Sequence, residues 1–70
     1  MTIQDLINQF EIQGIYTIKA WDDSVDDCII LNEGNDFELD KWNINEEILN
    51  KKVTYMYAID SVLYIEVELN

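Results

Sequence analysis

The 70-residue sequence has no histidine, arginine or proline, and Cys28 is its one cysteine. A single thiol cannot form an internal disulfide, and zinc sites and cysteine nucleophiles both need partners that this chain lacks. No stretch approaches the ~18 apolar residues of a membrane span. The start, Met1 to Ile7, has neither the basic region nor the long apolar run of a signal peptide. These absences predict a cytoplasmic protein without a metal or other cofactor.

Basic residues are also scarce, because four lysines oppose 15 Asp and Glu and leave a net charge of -11 with a pI near 4.1. Binding to phosphates or anionic lipids depends on Lys and Arg, so we expect neither direct nucleic-acid binding nor membrane binding. With 49% apolar residues the chain does not have the composition of a disordered protein. Its length predicts a single domain over 1–70.

The first ten residues predict a helix. Thr2 can accept from a first-turn amide, and the Asp5 carboxylate suits the positive end of the helix dipole. The apolar residues that follow fall at i, i+3, i+4 and i+7 and form one stripe: Ile3, Leu6, Ile7 and Phe10. Gly14 can end this helix in the left-handed conformation.

The rest of the chain has the pattern of strands and turns. Alternating β-branched and aromatic residues predict strands over 15–21, 28–33, 37–40, 53–59 and 62–69. Gly34-Asn35 and Asp60-Ser61 are predicted hairpin turns, and Asn43 or Asn45 can cap a short helical turn within 42–50. We therefore predict an α+β fold in the order α-β-β-β-(short α)-β-β. Its N-terminal helix packs on a five-stranded, mainly antiparallel sheet, which either stays open or curls into a partial barrel.

A loop between the first two predicted strands carries four carboxylates: Asp22, Asp23, Asp26 and Asp27. The order of oxygen-bearing side chains is similar to that of a calcium loop. However, Asp27 stands where such a loop needs glycine, and the flanks are strands rather than helices. A solvated turn explains the pattern better, and contact with a basic partner is the alternative.

The predicted hairpin around Gly34 would place further carboxylates on one strand face: Glu33, Asp36, Glu38 and Asp40. Alternate residues of a strand lie roughly 6.6 to 6.8 Å apart, which is close to the spacing of neighbouring phosphates in DNA. Together with Asp22, Asp23, Asp26 and Asp27, these carboxylates could therefore mimic the phosphates of a nucleic acid toward a basic protein, although any solvated strand face shows the same repeat.

Tyr55, Tyr57 and Tyr64 fall on the face of the last hairpin that the helix does not cover. Aromatic residues commonly stabilise strands through cross-strand pairs. They are also enriched at protein interfaces. Four further large residues have no assigned cover: Trp21, Ile29, Leu31 and Trp42. Cys28 is expected to be a small buried hydrophobe. The apolar excess predicts a partner surface or self-association.

The N-terminal region resembles the opening helix and first strand of small acidic type II anti-CRISPR inhibitors carried by phages. The resemblance rests on Met1, Ile3, Asp5, Leu6, Ile7, Tyr16, Thr17, Ile18 and Lys19 and on the final residues Glu68-Leu69-Asn70. It implies a protein that mimics nucleic acid and occupies the DNA-recognition surface of a nuclease, and it assigns no role to an individual residue. The whole chain is also similar to short reading frames of phages and conjugative elements of Gram-positive bacteria.

No catalytic residue is predicted, because acid–base catalysis by carboxyl groups needs a concave pocket that a domain of this size rarely offers. We expect a non-enzymatic acidic protein-interaction module that binds a basic, nucleic-acid-handling protein. The alternative is a homo-oligomer formed through the tyrosine face or a strand edge. The candidate partner-binding residues are Asp22, Asp23, Asp26, Asp27, Glu33, Asp36, Glu38, Tyr55, Tyr57 and Tyr64.

Overall fold

A computed structural model describes residues 1–69. The helices are α1 (Ile3–Gln9), α2 (Phe37–Asp40) and α3 (Glu46–Leu49), with a 3-10 turn at Lys41–Asn43 between the last two. The strands are β1 (Tyr16–Asp22), β2 (Asp27–Gly34), β3 (Val53–Ile59) and β4 (Val62–Val67). They form one open sheet in the order β2-β1-β4-β3. Strand β1 is antiparallel to β2 and parallel to β4, and β3 and β4 are antiparallel, so the sheet is mixed.

The predicted α+β class is confirmed, but the prediction of five mainly antiparallel strands is wrong. The segment Phe37–Asp40 is a helix because Asp36 accepts from the Leu39 backbone N–H and caps its first turn. Gly34 consequently ends β2 instead of starting a hairpin turn. The chain then crosses through α2 and α3 from the β2 edge of the sheet to the β3 edge. This crossover makes β1 and β4 parallel neighbours.

Helix α1 begins as predicted, with Thr2 and Asp5 accepting from each other's backbone N–H. It ends at Gln9 rather than at Gly14, and Phe10 is extended and 54% exposed instead of joining the apolar stripe. Gly14 has a φ of +93°, so it reverses the chain toward β1.

The hydrophobic core lies between the helices and one face of the sheet. The helical segments supply Ile3, Leu6, Phe37, Ile44 and Ile48, and the strands supply Tyr16, Ile18, Ala20, Ile65 and Val67. The rings of Tyr16 and Phe37 meet edge to face at 5.1 Å between centroids. Phe37 is fully buried, and this burial explains why α2 packs under the sheet.

The final hairpin is the element that the sequence predicted best. Its strand β3 has the predicted bounds, and Asp60 and Ser61 both have positive φ, as a two-residue hairpin turn requires. A bulge at Thr54 shifts the register between Val53 and Tyr55. Val53 therefore packs on the core, although simple alternation with Tyr55 and Tyr57 would place it on the face of the tyrosines.

Candidate protein-interaction surface

The second face of the sheet, which we call the open face, has no helix packed against it among residues 1–69. It is formed by the side chains that alternate with the core residues of the four strands. Its large apolar and aromatic members are Trp21, Ile30, Tyr55, Tyr57, Ile59 and Tyr64. Four of them are strongly exposed: Trp21 by 45%, Ile30 by 60%, Tyr55 by 67% and Ile59 by 55%. Several exposed apolar and aromatic side chains on one uncovered sheet face are typical of an interaction site.

Lys19 lies at the centre of the open face. Tyr57 and Tyr64 are cross-strand partners whose rings stack at 5.2 Å with an interplanar angle of 17°. The Lys19 ammonium lies 5.1 Å from one ring centroid and 5.2 Å from the other. Its interaction with Tyr57, together with smaller contributions from Cys28 and Glu66, raises the pKa of Lys19. This lysine therefore stays charged and orders the two rings.

The acidic turn at one end of the open face satisfies its own polar groups. Asp22 Oδ1 accepts from the Ser24 backbone N–H at 2.9 Å and from the Ser24 hydroxyl at 2.6 Å. The Ser24 hydroxyl and then its backbone N–H lower the pKa of Asp22. The Trp21 Nε1–H donates to Asp23 Oδ1 at 2.7 Å, so the turn also orients an indole ring of the open face.

This geometry favours the solvated turn over the calcium loop. Within residues 1–69, no group of three or more Asp, Glu or Cys side chains is arranged to hold a metal ion. Asp26 has a φ of 51°, and its carboxylate and that of Asp27 flank the start of β2. Asp23, which accepts from Trp21, therefore adds negative charge to the end of the open face.

The predicted hairpin face that Glu33 would share with Asp36, Glu38 and Asp40 is wrong, because the last three lie in or beside α2 while Glu33 lies on β2. Each of the three already has an internal partner. Asp36 caps α2, and Glu38 accepts from Lys41 Nζ at 2.8 Å and from the Ile12 N–H at 3.0 Å. Lys41 first, and then Ile12, lower the pKa of Glu38. These carboxylates stabilise the fold and do not form a phosphate-like array.

A partly buried polar cluster on the core side was not predicted. The Tyr16 hydroxyl lies 2.8 Å from Asn32 Oδ1 and 3.0 Å from Asp40 Oδ2. Gly34 lies directly beside them, and a Cβ there would fall 2.1 Å from Asp40 Oδ2. The pKa of Tyr16 is raised to about 12. Burial is the largest cause, followed by the hydrogen bond to Asp40 and the negative charge of Asp40.

The structure brings Tyr55, Tyr57 and Tyr64 onto one face, as the sequence predicted, and it adds Lys19 and Ile30 to them. Cys28 is half-buried beside Trp21 on the same face, rather than buried in the core as expected. Of the other residues that lacked a cover, Leu31 packs on the core, and Trp42 is 79% exposed on the helical side. Lys19 alternates with the core residues of β1 and so lies on the other face of the sheet. This alternation is the one sequence signal for its position.

No protein-family model, curated protein or solved structure matches this chain. Within residues 1–69, every helix is too short or too polar to cross a membrane.

Proposed function

We propose that this protein is a non-enzymatic interaction module that binds a basic partner protein through its open face. The exposed apolar surface of that face carries the proposal. Trp21 and Tyr55 are large amphipathic side chains of the type that anchors protein interfaces. Their exposure in a chain that is short of core residues is hard to explain by folding alone.

The charge around the open face specifies the chemistry of the partner. Asp22 and Asp27 lie at one end of the β1–β2 pair, and Glu33 and Asp60 lie at the opposite end of the sheet. Three of the four lysines have internal partners: Lys41 pairs with Glu38, Lys51 donates to the Leu69 carbonyl, and Lys19 lies over the tyrosines. A partner with an apolar centre and a rim of Lys or Arg complements this surface.

The test compares substitutions on two faces of the molecule. The immobilised chain is incubated with bacterial lysate at low salt, and any retained protein is purified and titrated calorimetrically. We expect wild type to retain a basic protein and the Trp21→Ala/Ile30→Ala variant to bind it about tenfold or more weakly, a loss of about 1.4 kcal/mol. Trp42→Ala is the control, because its indole is exposed on the helical side.

Salt dependence tests the electrostatic half of the proposal. Affinity for the purified partner should fall as salt rises, and replacing Asp22, Asp23, Asp26 and Asp27 by Asn should reduce that dependence. The proposal is wrong if no basic protein is retained at low salt. It is equally wrong if the open-face variant binds as tightly as wild type, or if Trp42→Ala alone abolishes binding.

A further inference from the structure

The two edge strands of the sheet differ in how well they are protected against pairing. Strand β2 carries charges at both ends, Asp27 and Glu33, and a bulge at Leu31. Charges and bulges on an edge discourage another strand from adding to it. Strand β3 has the sequence VTYMYAI, which contains no charge, proline or glycine. The β3 edge is therefore the less protected of the two.

The backbone of β3 shows which residues are available for pairing. The two-residue turn closes on the Ile59–Val62 pair, and bonded and non-bonded pairs alternate along an antiparallel ladder. Met56 and Ala58 consequently present their N–H and C=O groups to the edge. The edge is blocked at its start, because Met1 accepts from the Val53 N–H at 2.7 Å. The available edge runs over residues 54–59.

We propose that a second copy of this chain adds its β3 to this edge, antiparallel, about a twofold axis at Tyr57. In this register Met56 of each copy pairs with Ala58 of the other, so that the edge N–H and C=O groups of both residues are satisfied. A register centred on Met56 would place Ile59 of the other copy where Met1 lies against Val53. The two sheets then join into one sheet with a continuous open face.

The side chains agree with this register. The twofold axis creates two equivalent pairs in which Tyr55 of one copy faces Ile59 of the other. The two Tyr57 rings are neighbours across the axis. Both Tyr55 and Ile59 are more than half exposed in the single chain. Lys52 lies diagonally from Asp60 of the other copy, roughly 7 to 8 Å away between backbones, which is within reach of a lysine side chain. These pairs are apolar or of opposite charge.

The net charge of -11 on each copy opposes association. The paired segment is also short, so the dimer is weak and becomes more stable as salt screens the repulsion. Binding of a basic partner, in contrast, should weaken as salt rises. Because that binding is tested through Trp21 and Ile30, far from β3 in the sheet order, either proposal can fail without the other.

Sedimentation equilibrium from micromolar to millimolar concentration gives the first test. We expect a monomer–dimer equilibrium whose association constant rises with salt. Ala58→Pro removes an N–H that faces the edge and does not bond to β4, and it should weaken the dimer about tenfold or more. Circular dichroism checks that the variant is folded. A wild type that stays monomeric at millimolar concentration and high salt overturns the proposal.

Cysteine cross-linking in a Cys28→Ser background tests the register, and it remains decisive if the proline variant does not fold. Tyr57→Cys places two thiols directly opposite each other across the axis, where a disulfide can form. Ile59→Cys is the matched control, because its thiols lie four positions apart along the ladder, roughly 13 Å. The proposal is supported if Tyr57→Cys rapidly forms disulfide-linked dimers and Ile59→Cys does not. Equal cross-linking at both positions, or none at Tyr57→Cys, overturns it.

Discussion

The hydroxyl of Tyr16 lies 3.0 Å from Oδ2 of Asp40, and this contact joins the first strand of the sheet to the helix that follows β2. Tyr16 is 1% exposed, and its ring packs edge to face against Phe37 at the start of the same helix. The contact therefore fixes both ends of the four-residue α2 against the sheet. A helix this short has little stability of its own and depends on such contacts.

Ionisation of Tyr16 should destabilise the protein at alkaline pH. Its pKa is raised from 10.0 to about 12 in the folded state, so its contribution to the free energy of unfolding is complete below pH 10 and is lost as pH rises toward 12. Denaturant unfolding at several alkaline pH values measures this loss. Tyr16→Phe should show a smaller decline over that range, and Tyr55→Phe is the exposed control. An identical decline in wild type and Tyr16→Phe would contradict the assignment.

Gly34→Ala should cost about 1 to 3 kcal/mol, because the added methyl group overlaps Asp40 Oδ2 and touches the Tyr16 ring. The cost should fall when Asp40 is first changed to Ala, since the overlapping carboxylate is then gone. A double-mutant cycle from urea unfolding measures this coupling. If the two substitutions are additive, the close approach at Gly34 is not what makes glycine necessary there.

Glu38→Gln should destabilise the protein at neutral pH and lose its effect in acid. The pKa of Glu38 is lowered from its usual 4.5 by Lys41 and Ile12, so the ionised group stabilises the folded state above that pH. This contribution disappears as pH falls through the lowered pKa. Thermal unfolding of both proteins from neutral to acidic pH measures the difference, with Glu46→Gln as the control. A difference that persists in strong acid would exclude the ionised carboxylate as its cause.

Phe37→Ala and Leu39→Ala distinguish the observed helix from the strand that the sequence predicted. Phe37 is fully buried, and its truncation should cost about 3 to 5 kcal/mol, enough to unfold a domain of this size. Leu39 is 70% exposed, so its truncation should change stability by about 0.5 kcal/mol or less. Urea unfolding compares them. A large cost at Leu39 would instead support the predicted strand over 37–40.

Local signals predicted the helix start and the last hairpin, because the groups that decide these structures are adjacent in the chain. Thr2 and Asp5 are three residues apart, and Asp60-Ser61 lies between two alternating strands. The same reasoning failed at Phe37–Asp40, where a four-residue apolar and acidic alternation fits a strand and a capped helical turn equally well. Burial of Phe37 against Tyr16 selects the helix.

The sequence predicted only part of the candidate site, because some of its members meet through contacts between distant segments. Alternation alone places Tyr55, Tyr57 and Tyr64 on one face, whereas Lys19 joins them through the parallel pairing of β1 with β4. That pairing depends on the crossover over residues 35–52, whose path no local pattern encodes. The predicted strand over 37–40 did not reveal the contacts that its carboxylates make with distant segments, namely Glu38 with Ile12 and Asp40 with Tyr16.

By itself, the order of residues determined the charge, the class α+β, the capped first helix and the tyrosine hairpin, since composition and short-range periodicity suffice for these. Tertiary packing decided the strand order, the helical state of the segment after Asp36, and which carboxylates form hydrogen bonds or ion pairs within the protein. The physical reason is that burial and hydrogen bonding between distant segments outweigh local preferences wherever those preferences are nearly balanced.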